Sequence, residues 1–157
     1  MTKNLMSLAL SADDLDAVDS ALTVLEARLA GLIALRVEER RGMAKMGDKS
    51  EAFCRQTLTI LQQNPQIVPP SFDLAEAQAD LAAVDVLRPR LARLQRLTER
   101  AEDSEMALGS DVMSASLEGY ALLKVSGRNQ GLEGLRQGLS ARFGRTARRV
   151  EPAAGEG

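Results

Sequence analysis

The sequence predicts an all-α protein, an up-and-down four-helix bundle with a short extra C-terminal amphipathic helix. Three observations lead to this fold class. Aromatic residues make up only 3% of the chain, and the apolar residues are mainly Leu, Ala, Val and Met, a composition that favours helices over strands. Apolar residues recur at alternating spacings of three and four, the period of a helix face. Capping residues precede several of these periodic segments.

The composition is that of one globular domain. The chain has 157 residues, of which 45% are hydrophobic and 27% charged, enough to bury a core. We expect a lead-in over residues 1–10, a single helical-bundle domain over 11–144 and a disordered tail over 145–157. The net charge of -2 gives no overall attraction to nucleic acid, and no apolar run approaches the roughly 20 residues of a membrane span. With its single cysteine, the chain is predicted to be soluble and cytoplasmic, without a nucleic-acid or membrane partner.

Histidine is absent, and Cys54 is the single cysteine. These absences exclude Ser-His and Cys-His catalysis, histidine zinc sites, thiolate metal clusters and the Glu-x-x-His pattern of di-iron bundles. We therefore assign no catalytic residue, no metal ligand and no cofactor from the sequence.

The first predicted helix begins after Ser11, a good N-cap, and Asp14 stands at the third helical position, where a carboxylate meets free N–H groups. The helix is expected to run to Arg41, with Gly42 as its C-terminal cap. Its apolar residues form a coiled-coil-like seam, which consists of Leu15, Val18, Leu22, Leu25, Leu29 and Leu32.

Aspartates are predicted to begin the next two helices. Asp48 caps the second helix, with Glu51 completing a capping box, and Asn64 ends it before a proline. Asp73 caps the third helix in the same way, and Pro89 is expected to kink it because proline cannot bond to the carbonyl four residues earlier. The expected buried side of the second helix is Phe53, Cys54, Thr57, Leu58 and Leu61.

The end of the third helix has two candidate positions, Asp103 and Gly109–Ser110. A turn at Asp103 gives helices of similar length, whereas the later turn leaves one helix of about 55 Å at 1.5 Å per residue. We therefore place the turn at Asp103 and keep the later position as the alternative. The fourth helix then extends to about Ser126 and is expected to bury Met106, Val112, Met113, Ser116, Tyr120 and Leu123.

A fifth, amphipathic segment covers Leu132–Phe143. Each interior glycine costs about 1 kcal/mol of helix propensity relative to alanine, so we expect this helix to depend on docking, either on the bundle or on a second copy. Gly134 and Gly138 are expected to permit close approach of the two backbones. The apolar face of the segment consists of Leu132, Leu135, Leu139 and Phe143.

Three short runs, Met46–Phe53, Pro69–Pro70 and Leu108–Asp111, look similar to a group of uncharacterised small bacterial helical proteins. The resemblance covers roughly Lys45 to Arg145, and none of its motifs is a catalytic signature. It implies an up-and-down four-helix bundle and no particular activity.

One candidate binding site is a polar pocket in the core. Glu105 lies on or near the continued apolar stripe, and a buried carboxylate needs a partner or a raised pKa. Ser116 and Tyr120 on the same helix are expected to line the pocket with it.

The other candidate site is basic. Arg93, Arg96 and Arg100 share a helix face, which predicts either an anion-binding stripe or a solvated face paired with neighbouring acids. The arginines from Arg142 to Arg149 indicate in the same way either an acidic partner or a solvated tail.

The sequence therefore favours a non-catalytic interaction module that associates with itself or binds another protein. The alternative is a small-molecule-binding or enzymatic bundle whose pocket contains Glu105, Ser116 and Tyr120. A closed cavity with convergent polar groups is expected for the alternative, and an exposed apolar strip is expected for the interaction module.

Overall fold

The computed structural model describes residues 4–148, and this part of the chain is all-α, as predicted. No strand occurs within the described residues. The up-and-down four-helix arrangement is not confirmed, because a single helix takes up 53 residues. The helices are α1 (Ala12–Arg28), α2 (Val37–Gly42), α3 (Asp48–Gln63), α4 (Leu74–Ser126) and α5 (Glu133–Arg148), with 3-10 turns at Pro65–Ile67 and Gly127–Gln130.

The chain divides into two compact units. The first unit is Ala9–Glu99 and contains α1, α2, α3 and the first part of α4. The second unit joins Met1–Leu8 to Arg100–Gly157, and its described part contains the rest of α4 and α5. Positions 1–3 of the predicted lead-in (1–10) and positions 149–157 of the predicted tail (145–157) lie outside the described residues.

Ser11 caps α1 as predicted. The Ser11 hydroxyl accepts a hydrogen bond from the Asp14 N–H at 3.1 Å, and the Asp14 carboxylate accepts one from the Ser11 N–H at 3.1 Å. Each side chain therefore satisfies a backbone donor of the other, which fixes the start of the helix. The helix ends at Arg28, however, and the prediction that it continues to Arg41 is wrong.

A turn separates α1 from α2. The Leu32 N–H donates to the Leu29 carbonyl at 3.0 Å, and the Glu39 carboxylate accepts from the Arg36 N–H at 2.7 Å at the start of α2. Gly31 costs a continuous helix about 1 kcal/mol, and the Glu39 contact supplies a second N-terminal cap. Two short helices therefore replace the single long one, and the seam residues after Arg28 lie outside α1.

The two aspartate caps differ in outcome. The prediction for Asp48 is wrong by one position, because α3 begins at Asp48 and its cap residue is Gly47, whose N–H donates to Ser50 Oγ at 2.8 Å. Asp73 caps α4 as predicted, since its Oδ1 accepts from the Glu76 N–H at 2.9 Å.

α4 is one continuous helix from Leu74 to Ser126. The predicted turn at Asp103 is therefore wrong, and so is the alternative at Gly109–Ser110. The Ser104 hydroxyl donates to the Arg100 carbonyl at 2.6 Å, a bond to the residue four positions earlier that a helix interior accommodates. The unbroken phase of the apolar stripe was the better indicator here, and the weak turn residues do not override it.

α5 confirms the predicted fifth helix, but the glycines that have a structural role lie in the turn before α5 and not within it. Gly131 has a φ of 70°, which favours glycine. Gly127 is buried, and a Cβ there would stand 3.4 Å from Leu132 Cβ. Gly134 and Gly138 have no such neighbour within 4 Å among the described residues, and their role in close packing stays a prediction.

The apolar residues are far more accessible than a bundle core would be. Within residues 4–144, Gly127 alone is buried, and no apolar side chain of that stretch is fully removed from solvent. Cys54 and its neighbours on the predicted side of α3 are half-buried, but Phe53 is 69% exposed, contrary to prediction. Pro89 lies inside α4, and the kink there stays a prediction.

The predicted buried face around positions 106–123 of α4 is only partly formed. Tyr120 and Leu123 are half-buried. The side chains that are exposed instead of buried are Met106, Val112, Met113 and Ser116. Among the described helices, none combines the length and the apolar character that crossing a bilayer requires.

Candidate functional site

The three residues predicted to line a polar pocket lie along one helix and are not brought together. Glu105 is exposed and precedes Ser116 by about three helical turns, roughly 16 Å along α4. The exposed Ser116 hydroxyl donates to the Val112 carbonyl of its own helix at 2.7 Å. Tyr120 is half-buried and contacts α5 instead.

The contact of Tyr120 with α5 centres on Arg136. Arg136 donates to Tyr120 Oη at 2.8 Å and to Glu133 Oε1 at 2.6 Å, and its guanidinium carbon lies 5.8 Å from the Tyr120 ring centroid, within cation–π range. The Arg136 hydrogen bonds hold the pKa of Glu133 below its usual range. A hydrogen bond from Ser140, followed by the charge of Arg136, lowers the pKa of Tyr120. We call Tyr120, Glu133 and Arg136 the Tyr120 clamp; it joins α5 to α4 within the second unit.

The predicted basic stripe is solvent-exposed. Arg93 and Arg96 lie on the part of α4 that belongs to the first unit, whereas Arg100 belongs to the second. Arg88, one or two turns earlier on α4, pairs with an acid of a neighbouring helix, the arrangement expected of a solvated charged face. An anion-binding role for the stripe stays a prediction.

An ion network missed by the sequence analysis joins α3 to α4 in the first unit. Glu51 Oε1 accepts from Arg55 at 2.7 Å and from Arg88 at 2.9 Å. Arg55 also donates to both carboxylate oxygens of Asp85, at 2.9 Å for Oδ2. Glu51, predicted to complete a capping box, is used here instead. The spacing of Glu51 and Arg55 was a usable signal, because residues four apart on a helix are neighbours.

The ion network orients helices and does not resemble an acid–base catalyst. Hydrogen bonds from Arg88 and then Arg55 lower the pKa of Glu51, and those from Arg55 lower the pKa of Asp85. The same bonds raise the pKa of both arginines. Each shift moves its group away from neutral pH, whereas a general acid or base needs a pKa near it.

An open pocket lies beside the ion network, between α3 and α4. It has a volume of about 450 Å³ and is widely open to solvent, whereas ligand sites normally enclose most of their occupant. Two of its lining groups, Arg55 and Asp85, are already paired with each other. The lining residues are Arg55, Leu58, Thr59, Gln62, Gln78, Leu81, Ala82 and Asp85.

In the second unit, Asp111 holds the N-terminal segment against α4. Its carboxylate accepts from the Leu5 N–H at 2.9 and 3.0 Å and from the Met6 N–H at 3.2 Å. A carboxylate that accepts two consecutive backbone N–H groups anchors an extended chain without reading its side chains. This contact explains why residues 5 and 6 are fixed beside a helix more than one hundred positions away.

Two exposed apolar helix faces are candidate binding surfaces. The first, which we call the α1 seam, has side chains that are 40–49% exposed: Leu15, Val18, Leu22 and Leu25. The second, which we call the α5 face, has side chains that are 48–68% exposed: Leu135, Leu139 and Phe143. Contiguous exposed apolar residues of this kind mark interaction surfaces more often than isolated ones do.

Comparison with known proteins gives no significant match to a protein-family model, a curated protein or a solved structure. Among the described residues, no group of three or more His, Cys, Asp or Glu side chains is arranged to hold a metal ion. The candidate function therefore depends on the chain's own surfaces.

Proposed function

We propose that this chain is a non-catalytic helical interaction module that buries its apolar helix faces by binding another polypeptide, either a second copy or a different protein. The observation that carries the proposal is the α1 seam, whose four side chains recur at spacings of three and four and are all 40–49% exposed. An amphipathic helix owes most of its stability to burying such a stripe.

The apolar surface left exposed on the α1 seam favours binding to a partner. Full burial of a Leu or Val side chain contributes about 1.5–3 kcal/mol, so four half-exposed side chains leave about 4 kcal/mol unrealised. A helix laid into an apolar stripe recovers this free energy through contacts at positions i, i+3, i+4 and i+7. The four-helix bundle expected from the sequence is then a property of the complex, with the partner supplying the missing helical layer.

A photo-crosslinking amino acid at Leu22 tests the proposal in the cells that naturally produce the chain. Leu22 is in the middle of the α1 seam. Ser20 lies on the opposite side of the same helix, because the two positions between them make just over half of a 3.6-residue turn. We expect illumination to give a discrete adduct of defined mass from position 22 and none from position 20.

A second substitution makes the result specific to the seam. Leu15→Ser lies two turns from Leu22 on the same stripe, and it should reduce the adduct from position 22 severalfold while circular dichroism stays helical. An adduct of equal yield from positions 20 and 22, or no adduct at either position, would contradict the proposed function.

A further inference from the structure

We infer that the partner of the α1 seam is the α5 face of a second copy of this chain. The inference rests on the proposed function, because it names the polypeptide that the seam binds. The two helices match in length, with 17 residues in α1 and 16 in α5. Each has an exposed apolar face on one side.

The charges of the two helices are opposite. α1 has a single basic residue, Arg28, against five acids, a net charge of -4. The five acids are Asp13, Asp14, Asp16, Asp19 and Glu26. α5 has a single acid, Glu133, against four arginines, a net charge of +3. The four arginines are Arg136, Arg142, Arg145 and Arg148. Opposite potentials favour encounter and register between two surfaces.

Pairing α1 with itself is disfavoured by the same charges. With Leu15 and Leu22 at a positions of the heptad, Asp14 is a g position and Asp19 an e position. A parallel α1 pair sets Asp14 against the partner's Asp19, and an antiparallel pair sets Asp19 against the partner's Glu26. Both arrangements place like charges together, which is destabilising. Two α5 helices would likewise bring two positive helices together, so the α1–α5 pair is the favoured combination.

The glycines of α5 fit a helix that receives another backbone closely. A Cβ built at Gly134 or Gly138 meets no atom within 4 Å beyond the backbone of its own helix, so no contact among the described residues requires glycine there. Both precede a leucine of the α5 face by one position, at Leu135 and Leu139. Missing side chains beside an apolar face leave space for a partner helix.

A two-fold dimer contains this contact twice. In such a dimer the α1 seam of each copy meets the α5 face of the other, so the assembly closes and no seam is left over. One helix pair is small compared with the roughly 800 Å² per partner of a stable interface, and two identical pairs double the buried area. The chain is therefore expected to form a dimer and not an open polymer.

A charge-swap pair of variants of the full chain tests the inference by sedimentation equilibrium. The first variant reverses acids of α1: Asp16→Lys, Asp19→Lys and Glu26→Lys. The second variant reverses arginines of α5: Arg142→Glu, Arg145→Glu and Arg148→Glu. In each variant alone the two helices have the same sign, whereas in a mixture both α1–α5 contacts join opposite signs.

We expect the natural chain to be a dimer at low salt, with its dissociation constant raised about tenfold or more at ionic strengths on the order of 0.5 M. Each variant alone should be monomeric, and an equimolar mixture should recover the dimer mass. Recovery in the mixture also shows that both variants are folded. A dimeric natural chain whose variants fail to recover on mixing would overturn the assignment of α5 as the partner of the seam.

A monomeric natural chain would overturn the inference altogether. This includes a monomer in which α5 docks on the α1 of the same chain. The proposed function fails separately, when the photo-crosslinker at Leu22 gives no adduct or gives no more adduct than the one at position 20. Disulfide trapping adds a direct readout in a Cys54→Ser background. A Leu22→Cys chain mixed with a Leu139→Cys chain should give a crosslinked dimer, whereas a Ser20→Cys chain in place of the former should not.

Discussion

The carboxylate of Asp73 accepts a hydrogen bond from the backbone N–H of Glu76 in the first turn of α4. Removing an aspartate at such a cap costs about 1 kcal/mol, so Asp73→Ala should lower the urea midpoint of unfolding by a corresponding amount. Asp48→Ala is the matched comparison, because Asp48 is the first residue of its helix and not its cap. Its effect should be clearly smaller. Equal losses for the two variants would mean that side-chain capping does not set the start of α4.

Acid should remove the contribution of the ion network to stability. The pKa values of Glu51 and Asp85 lie below their usual range in the folded chain, whereas unfolded carboxyls titrate near pH 4. A lowered folded pKa stabilises the fold above the unfolded pKa, and that stabilisation is lost as the pH falls through the folded pKa. The double variant Glu51→Gln, Asp85→Asn should therefore unfold more easily than the natural chain at neutral pH.

The difference between the two proteins should shrink below about pH 4 and approach zero in stronger acid. Urea titrations of both proteins from neutral pH downward measure it directly. Because the network is solvent-accessible, added salt should also reduce the difference. A difference that stays constant from neutral pH into acid would show that the two carboxylates do not stabilise the fold as ions.

The caps illustrate which site residues a sequence reveals. Ser11 and Asp73 act on N–H groups three positions away, so the local sequence contains both partners. Glu51 also had a local interpretation, as part of a capping box, but it bonds to Arg88 on another helix. The sequence predicts a pocket residue at Tyr120, whereas its hydrogen bond with Arg136 on α5 is visible only in the structure. Contacts between helices depend on how the helices pack, which spacing within one helix does not determine.

At the scale of the helix, α4 passes without interruption through Gly109. Among the described residues only Gly131 has a positive φ, so Gly109 has ordinary helical geometry, and no atom stands within 4 Å of a Cβ placed there. Gly109→Ala should therefore stabilise the chain by about 1 kcal/mol, the propensity difference between glycine and alanine. Had the alternative turn formed at this position, the same substitution would destabilise it.

Gly131→Ala is the contrasting variant for this measurement. Its φ of 70° is a conformation that alanine adopts only with strain, so the substitution should lower the thermal midpoint while Gly109→Ala raises it. Shifts of the same sign in both variants would contradict the continuous helix at Gly109.

The existence of each helix was easier to predict than its ends. The three/four period and the caps identified the segments that became α1, α3, α4 and α5. The ends failed where several weak preferences compete. Gly31 and the Glu39 cap break the first helix, whereas Asp103 and Gly109 do not break α4. Each preference contributes on the order of 1 kcal/mol, so packing decides between them.

At the scale of the whole molecule, the sequence describes a stripe but not what covers it. The α1 seam has the period of a buried helix face, and its side chains are still about half exposed. The prediction of a chain that buries its own core assumed that every partner of a stripe lies in the same chain. Opposite net charges on α1 and α5 give a physical reason for these two helices to pair, as the proposed dimer requires.

The stability of the fold should then depend on protein concentration. When folded chains associate and unfolded chains do not, mass action raises the thermal midpoint as concentration rises, and each tenfold increase adds up to about 1.4 kcal/mol per mole of dimer. Differential scanning fluorimetry of the purified chain over a hundredfold range of concentration should show a steady rise of the thermal midpoint.

Leu22→Ser should lower the midpoint and flatten its concentration dependence, because it removes an apolar contact from the centre of the seam. Ser20→Ala, on the opposite side of α1, should retain the full dependence. A midpoint that is the same at every concentration would show that the seam is not covered by a second copy.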